Sequence, residues 1–129
     1  NEIFSVSQVG NGTVMVEAFG YQQIYGRFSN LEDGVLGPDV TRIIGHGGAG
    51  NDIIGIDRNV DIPVELWGDF DNPMLGGGDD LIVASGSGGT RIQGGRGTDR
   101  LIGGAGTDYI WGHSESGIGD DNAADIIQG

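Results

Sequence analysis

Branched aliphatic residues recur at short intervals along the last two-thirds of the chain. Each lies in a segment of about four residues between turns rich in glycine and polar residues. Alternate side chains of a strand point to opposite faces, so one inward aliphatic between two outward residues predicts a short β-strand. Every inward residue of this pattern is aliphatic, which predicts a continuous apolar stripe. The stripe consists of Ile43, Ile54, Leu66, Ile82, Ile92, Leu101, Ile110 and Ile127.

The beginning of the chain follows a different pattern, with longer runs of alternating apolar and polar residues. Two such runs flank Asn11-Gly12, a dipeptide that favours the tight turn of a β-hairpin. A further strand is expected over residues 22–28. The sequence therefore predicts an N-terminal β-hairpin cap over residues 1–39 and a repeated region over residues 40–129. The cap is expected to bury Phe4, Val6 and Val14 against the start of the stripe.

A glycine-rich unit of nine residues repeats within the second region. It has Gly at places one, two and four, Asp at place six and an aliphatic residue at place eight. Residues 94–102 (GGRGTDRLI) and 103–111 (GGAGTDYIW) follow it in tandem, and residues 47–55 (GGAGNDIIG) follow it in full. Residues 75–83, 85–93 and 120–128 keep parts of it. Such an internal repeat predicts a stacked, solenoid-like fold.

The unit resembles G-G-x-G-x-D-x-U-x, the calcium-binding nonapeptide of the RTX (repeats-in-toxin, haemolysin-type) family, over about residues 40–128. The resemblance implies an all-β fold, a right-handed parallel β-roll of two short-stranded sheets between which consecutive units alternate. It also implies that each Ca²⁺ lies between one turn and the next turn on the same side. The chemistry agrees, because glycine turns present carbonyl oxygens, the Asp adds a carboxylate, and calcium takes about six to eight oxygen ligands.

This alternation predicts that every second turn lies on one edge of the roll. The place-six residues of that edge are Asp52, Asp80, Asp99 and Asp125, whereas the other edge has Thr41, Val64, Thr90 and Asp108. Calcium is therefore expected mainly along the first edge, as about three ions, with the best site between turns 75–80 and 94–99. Besides Asp108, the resemblance implies turn ligands, mostly through carbonyl oxygens, among Gly47, Ala49, Gly76, Gly77, Gly78, Gly94, Gly95, Arg96, Gly97, Gly104 and Gly106.

Two insertions, at residues 68–74 and 112–119, fall on the same edge and bring more carboxylates. These carboxylates are either extra ligands or part of solvated acidic loops, and the sequence leaves both interpretations open. The residues concerned there and in the adjoining turns are Asp69, Asp71, Asp79, Asp120 and Asp121.

The outward positions predict a second surface. In the expected register, Glu65 lies between Arg42 and Arg91 as a charge ladder. The neighbouring outward row is Ile44, Trp67, Gln93 and Trp111. Exposed Trp beside Arg is one way to bind carbohydrate, although such aromatics more often pack against a neighbouring segment.

Composition narrows the possible functions. The 129 residues include 28 Gly, no Cys and 19 acidic against 6 basic residues, for a formal net charge of −13. This charge disfavours nucleic-acid binding, which needs clustered cations, and the absence of Cys excludes disulfides. The longest apolar run, Leu81–Ala84, is far too short to span a membrane.

No catalytic motif is present, so an enzyme is not expected. His46 and His113 are the only histidines and neither belongs to H-E-x-x-H, and no G-x-S-x-G occurs. Adjacent carboxylates such as Asp79-Asp80 are explained by calcium turns.

The predicted function is that of a calcium-stabilised structural module of a secreted bacterial protein. By resemblance, the chain stays unfolded where calcium is low and folds outside the cell. Three alternatives remain: a fibre or surface-layer subunit that associates end to end, a carbohydrate-binding adhesin, and an accessory part of a secreted hydrolase. The last strand has no capping segment after it, so either association or a longer roll is expected.

Overall fold

A computed structural model describes residues 2–26, 39–69, 77–113 and 124–129. This part of the chain is all-β, as predicted, and contains no helix that could span a membrane. Its strands are β1 (Ile3–Gly10), β2 (Thr13–Ala18), β3 (Tyr21–Gly26), β4 (Ile43–His46), β5 (Ile53–Ile56), β6 (Val64–Trp67), β7 (Leu81–Ala84), β8 (Thr90–Gln93), β9 (Arg100–Ile102), β10 (Asp108–Trp111) and β11 (Ile126–Gln128).

The strands form two sheets. The seven-stranded sheet has the order β11-β9-β7-β5-β1-β2-β3, and the four-stranded sheet has the order β10-β8-β6-β4. From β4 onward, consecutive strands alternate between the two sheets, and neighbours within each sheet are parallel. This alternation was expected from the nine-residue repeat, and the shortest turns that lead from one sheet to the other are residues 85–89 and 103–107.

The predicted aliphatic stripe forms the centre of the core. Ile54, Ile82 and Leu101 pair across one sheet, and Leu66, Ile92 and Ile110 pair across the other. The residues with the largest fully buried side chains include Leu66, Ile82, Ile92 and Leu101. The stripe weakens toward the last strands, because Ile110 is half-buried and Ile127 is 47% exposed.

The first strand of the repeated region pairs two residues away from the expected register. Gly45, and not Ile43, lies opposite Leu66, and Ile43 lies opposite Val64. A Cβ at Gly45 would lie 3.0 Å from Cδ2 of Leu66, so the glycine makes room for that side chain. Because strand side chains alternate with period two, Ile43 still faces the core. The outward rows shift, and His46, not Ile44, lies beside Trp67.

The N-terminal hairpin forms as predicted. β1 and β2 pair antiparallel around Asn11-Gly12, with Gly12 at φ 66°, and β3 pairs with β2. The expected third strand extended to residue 28, of which residues 27 and 28 lie outside the described part. Val6 and Val14 belong to the core, and Phe4 packs against it. β1 also pairs parallel with β5, so the hairpin extends the seven-stranded sheet and covers the edge of β5.

Candidate metal centre

Four turns lead from the four-stranded sheet to the seven-stranded sheet, and they share one side of the molecule. We name residues 47–52, 68–80, 94–99 and 112–125 the first to fourth acidic turns, and their common side the acidic edge; residues 70–76 and 114–123 lie outside the described part. Each turn ends in an aspartate directly before a strand: Asp52, Asp80, Asp99 and Asp125. Parallel pairing of those strands brings the four aspartates into one column, as the sequence predicted.

Hydrogen bonds fix the orientation of these carboxylates. The amide of Asp52 donates to Oδ1 of Asp80 at 2.8 Å, and the amide of Asp80 donates to Oδ1 of Asp99 at 2.9 Å. The amide of Asp99 donates in the same way to Oδ1 of Asp125 at 2.9 Å. The amide of Glu2 begins the series by donating to Oδ1 of Asp52 at 2.6 Å. Each bonded Oδ1 therefore accepts an amide from the residue that directly precedes the neighbouring strand of the same sheet.

The second oxygen of the central carboxylates has no such donor. Oδ2 of Asp80 and Oδ2 of Asp99 are buried and have no hydrogen-bond partner within the described ranges. A Cβ at Gly68 would collide with Oδ2 of Asp80 and the carbonyl oxygen of Gly94. A Cβ at Gly94 would collide with Oδ2 of Asp99 in the same way. Buried acceptors without a donor need a proton or a cation.

The electrostatics of the acidic edge favour a bound cation. Burial raises the pKa of Asp80 to about 8, against an opposing amide hydrogen bond from Asp52, and the charge of Asp99 raises it further. Burial likewise raises the pKa of Asp99 to about 7. Without a counter-ion, burial and, to a smaller extent, the neighbouring negative charges therefore favour the protonated form of these carboxylates.

The second acidic turn differs from its expected alignment. The amide of Asp69 donates to the carbonyl of Gly94 at 3.3 Å, as the amide of Gly48 donates to Gly68 at 2.9 Å in the turn before. Gly68 and Asp69 thus occupy places one and two, and Gly77 follows beside Arg96 at place three. The insertion therefore falls at residues 70–76, between places two and three, and 75–83 is not the structural unit. Gly76 lies outside the described part.

Asp69 is the residue that the repeat pattern could not assign. Its side chain is 5% exposed, and Oδ2 accepts the amide of Arg96 at 2.6 Å. A Cβ at Gly77 or Gly95 would collide with the Asp69 carboxylate, which therefore lies between the second and third acidic turns. Burial raises its pKa to about 6. The position of Asp69 in the sequence could have indicated its place in the turn. A glycine follows every strand of the four-stranded sheet, and Asp69 comes directly after the glycine that follows β6.

The complete repeats on the acidic edge require glycine. Gly95 and Gly97 have φ of 113° and 108°, and Gly48 and Gly50 in the first acidic turn have φ of 112° and 102°. A side chain is strained in this region of backbone conformation. Ala49 lies between the glycines of the first acidic turn, which begins at Gly47.

The opposite edge folds differently despite a matching sequence. Gly104 and Gly106 lie there, in a turn without positive φ, and a Cβ at either would collide with backbone of the preceding turn on that edge. The amide of Ala105 donates to the carbonyl of Gly86 at 3.0 Å, so these turns stack through backbone. Asp108 is half-buried on this edge, opposite Thr90, and is apart from the aspartate column, as expected.

The remaining acidic candidates separate by exposure. Asp79 is exposed; its Oδ1 accepts the amide of Thr98 at 2.8 Å, and its own amide donates to Asn51 at 3.0 Å. Asp79 thus joins the turns through a second series of hydrogen bonds that runs opposite to the first. The others, Asp71, Asp120 and Asp121, lie outside the described residues.

The donor set fits a hard cation shared between turns. No three acidic or histidine side chains of the described residues surround one point closely enough to hold an ion. A site on this edge would therefore combine carboxylate oxygens from successive turns with carbonyl oxygens such as that of Gly94. An all-oxygen donor set without nitrogen or sulfur suits calcium.

The outer face of the four-stranded sheet has aromatic stacks. His46 lies parallel to Trp67, with centroids 4.5 Å apart, and Arg91 lies 5.3 Å from the centroid of Trp111. Neighbouring side chains therefore contact both Trp rings, which leaves less open ring face for a sugar. Of the expected charge ladder, an ion pair between Arg42 and Glu65 is present.

Comparison with known proteins adds no assignment. No family model matches the chain, and no curated protein or solved structure is significantly similar to it. The resemblance to the RTX nonapeptide therefore depends on the repeat residues themselves.

Proposed function

We propose that the chain is a calcium-binding structural module whose ions bind between successive acidic turns. The observation that carries this proposal is the aspartate column, in which Oδ1 of Asp80 and Asp99 accepts an amide while the buried Oδ2 has no donor within the described residues. Metal-ligating carboxylates are commonly held in this way by a hydrogen bond to one oxygen. The repeat supports a right-handed β-roll of the RTX type as the fold of residues 40–129.

The proposed mechanism is charge neutralisation coupled to folding. The chain has a net charge of −13 and concentrates buried carboxylates along one edge. Without a cation, folding forces these groups to bind protons or repel one another. Calcium binds only the assembled turns, so its binding free energy adds to the free energy of folding.

This mechanism suits a secreted bacterial protein. Where calcium is scarce, the chain remains unfolded and competent for export, and it folds where calcium is abundant. The proposed role is structural and not catalytic.

Calcium titration tests the proposal. Circular dichroism in calcium-free buffer is expected to report loss of the β spectrum of residues 40–129, and added calcium is expected to restore it. Magnesium at equal concentration is expected to restore it poorly, because Mg²⁺ is smaller and loses its water reluctantly. An identical β spectrum with and without calcium, together with no binding heat, would refute the proposal.

End-to-end assembly, as in a fibre or surface layer, is a second candidate. In the described residues β10 and β11 each pair on one side only, and Ile126 and Ile127 are 55% and 47% exposed. An apolar edge strand favours pairing with another strand. Sedimentation of the calcium-loaded chain at rising concentration, with Ile127→Lys as the control variant, tests this role. A monomer at all concentrations argues against it.

A further inference from the structure

The carboxylate of Asp69 lies in the gap where the repeat would place an ion. Asp69 precedes the insertion of the second acidic turn, yet its side chain contacts the third acidic turn through the amide of Arg96, 2.6 Å from Oδ2. Gly77 on one side and Gly95 on the other leave space for it only because they have no Cβ. The side chain is 5% exposed, so the residue directly before the insertion is buried inside the acidic edge.

Three carboxylates of the second and third acidic turns share one arrangement. Asp69, Asp80 and Asp99 are each at most 5% exposed. Each uses one oxygen to accept a backbone amide. The other oxygen, Oδ1 of Asp69 or Oδ2 of Asp80 and Asp99, is buried without a hydrogen-bond partner among the described residues. A carboxylate anchored through one oxygen presents the other to a ligand, and three such carboxylates in two adjoining turns point to a cation.

We propose that Asp69 is a third carboxylate ligand, with Asp80 and Asp99, for one divalent cation between the second and third acidic turns. The inference rests on the proposed calcium-binding function and adds a ligand that the nine-residue repeat does not supply. As the side chains stand, the three groups do not surround one point, so binding requires at least one of these side chains to rotate. Affinity rises with the number of charged ligands, so this gap binds calcium most tightly.

Isothermal titration calorimetry with CaCl₂ on the full chain tests the assignment. Asp69→Asn keeps an oxygen for the Arg96 amide but removes the charge. Asp79→Asn is the matched control, because Asp79 is in the same turn, is exposed and also accepts an amide through Oδ1. Asp69→Asn is expected to weaken the tightest calcium step by about tenfold or more. Asp79→Asn is expected to change it by less than about threefold, because an exposed charge is screened.

A double variant establishes whether two residues share one ion. In Asp69→Asn/Asp80→Asn, the loss in the tightest step is expected to be smaller than the product of the two single losses, since the first change already removes part of the same site. Asp69→Ser, a smaller side chain that keeps an acceptor oxygen, is measured in parallel in case the amide is poorly accommodated.

The outcomes separate this inference from the function on which it rests. Absence of calcium binding by the unaltered chain would refute both. Binding by the unaltered chain with an unchanged tightest step in both Asp69→Asn and Asp69→Ser would refute only the Asp69 assignment. Losses that multiply fully in the double variant would assign Asp69 to a different ion from Asp80.

Discussion

The amide of Asp80 donates a hydrogen bond to Oδ1 of Asp99, 2.9 Å away at the end of the next acidic turn. Each aspartate of the pair thus has two roles, since its backbone orients one neighbour and its carboxylate receives the amide of another. Removing one side chain therefore affects two turns, which makes the column sensitive to single substitutions.

Asp99→Ala is expected to destabilise the fold far more than Thr90→Ala. The first change leaves the buried amide of Asp80 without its acceptor, which costs about 1–3 kcal/mol, and it also removes a proposed calcium ligand. Thr90 is also buried, but its hydroxyl makes only a weak 3.4 Å hydrogen bond to the carbonyl of Gly88. Urea denaturation of each variant in saturating calcium gives the two losses. Equal losses would mean that the edges do not differ.

Stability without calcium is expected to fall as the pH rises from about 4 to 8. The folded pKa values of Asp69, Asp99 and Asp80, about 6, 7 and 8, lie above the ordinary aspartate value of 3.8. Stabilisation from these groups is therefore fully present below that value and is lost as the pH rises through the folded pKa values. Calcium is expected to reverse the trend, because its binding displaces the protons.

Thermal denaturation in metal-free buffer at pH 5 and pH 8 measures this effect. Without calcium, an unfolding transition is expected at pH 5 and is expected to be weakened or lost at pH 8, where added calcium is expected to restore it. A higher Tm at pH 8 without calcium would contradict the assignment of protons to the buried carboxylates.

Much of the repeated region could be predicted because its short strands alternate between the two sheets even where a turn contains an insertion. The alternation determines which aspartates share an edge, so the column from Asp52 to Asp125 followed from counting strands. The register of β4 did not follow, because Ile43 and Gly45 face the same side and only the bulk of Leu66 distinguishes them.

The environment of Asp69 could not be read from the repeat for a related reason. Residues 75–80 resemble one contiguous turn in sequence. In the structure, Gly68 and Asp69 occupy the first two places of that turn, and the insertion separates them from the third place at Gly77. A sequence alignment to the nine-residue repeat assigns contiguous residues to one unit. Backbone hydrogen bonds between stacked turns also form when an insertion interrupts the unit. The parallel pairing of β1 with β5 likewise has no local signal, because it depends on which sheet edge remains open.

Gly68→Ala is expected to weaken calcium binding and folding together. A Cβ at this position would collide with Oδ2 of Asp80 and the carbonyl oxygen of Gly94, and overpacking of this kind costs about 1–3 kcal/mol. Gly55→Ala is the control, because a Cβ there meets only the carbonyl of Phe4 at 3.8 Å. Calcium titrations followed by circular dichroism compare the two. A normal calcium midpoint in Gly68→Ala would show that the space beside this glycine is unrelated to the ion.

Val14→Ala is expected to lower the stability of the entire calcium-loaded fold and not of the hairpin alone. Val14 is 3% exposed and belongs to the core, and the loss of two methyl groups costs about 1.5–3 kcal/mol. Because β1 of the hairpin pairs with β5 of the repeated region, the hairpin is expected to unfold together with that region. Val9→Ala, in the same hairpin but 52% exposed, is expected to change stability by less than about 0.5 kcal/mol. Thermal denaturation of the calcium-loaded chain is the measurement, with Trp67 and Trp111 fluorescence reporting on the repeated region. If Val14→Ala leaves the fluorescence transition unchanged while a separate early transition appears by circular dichroism, the hairpin is an independent unit and does not cap the repeated region.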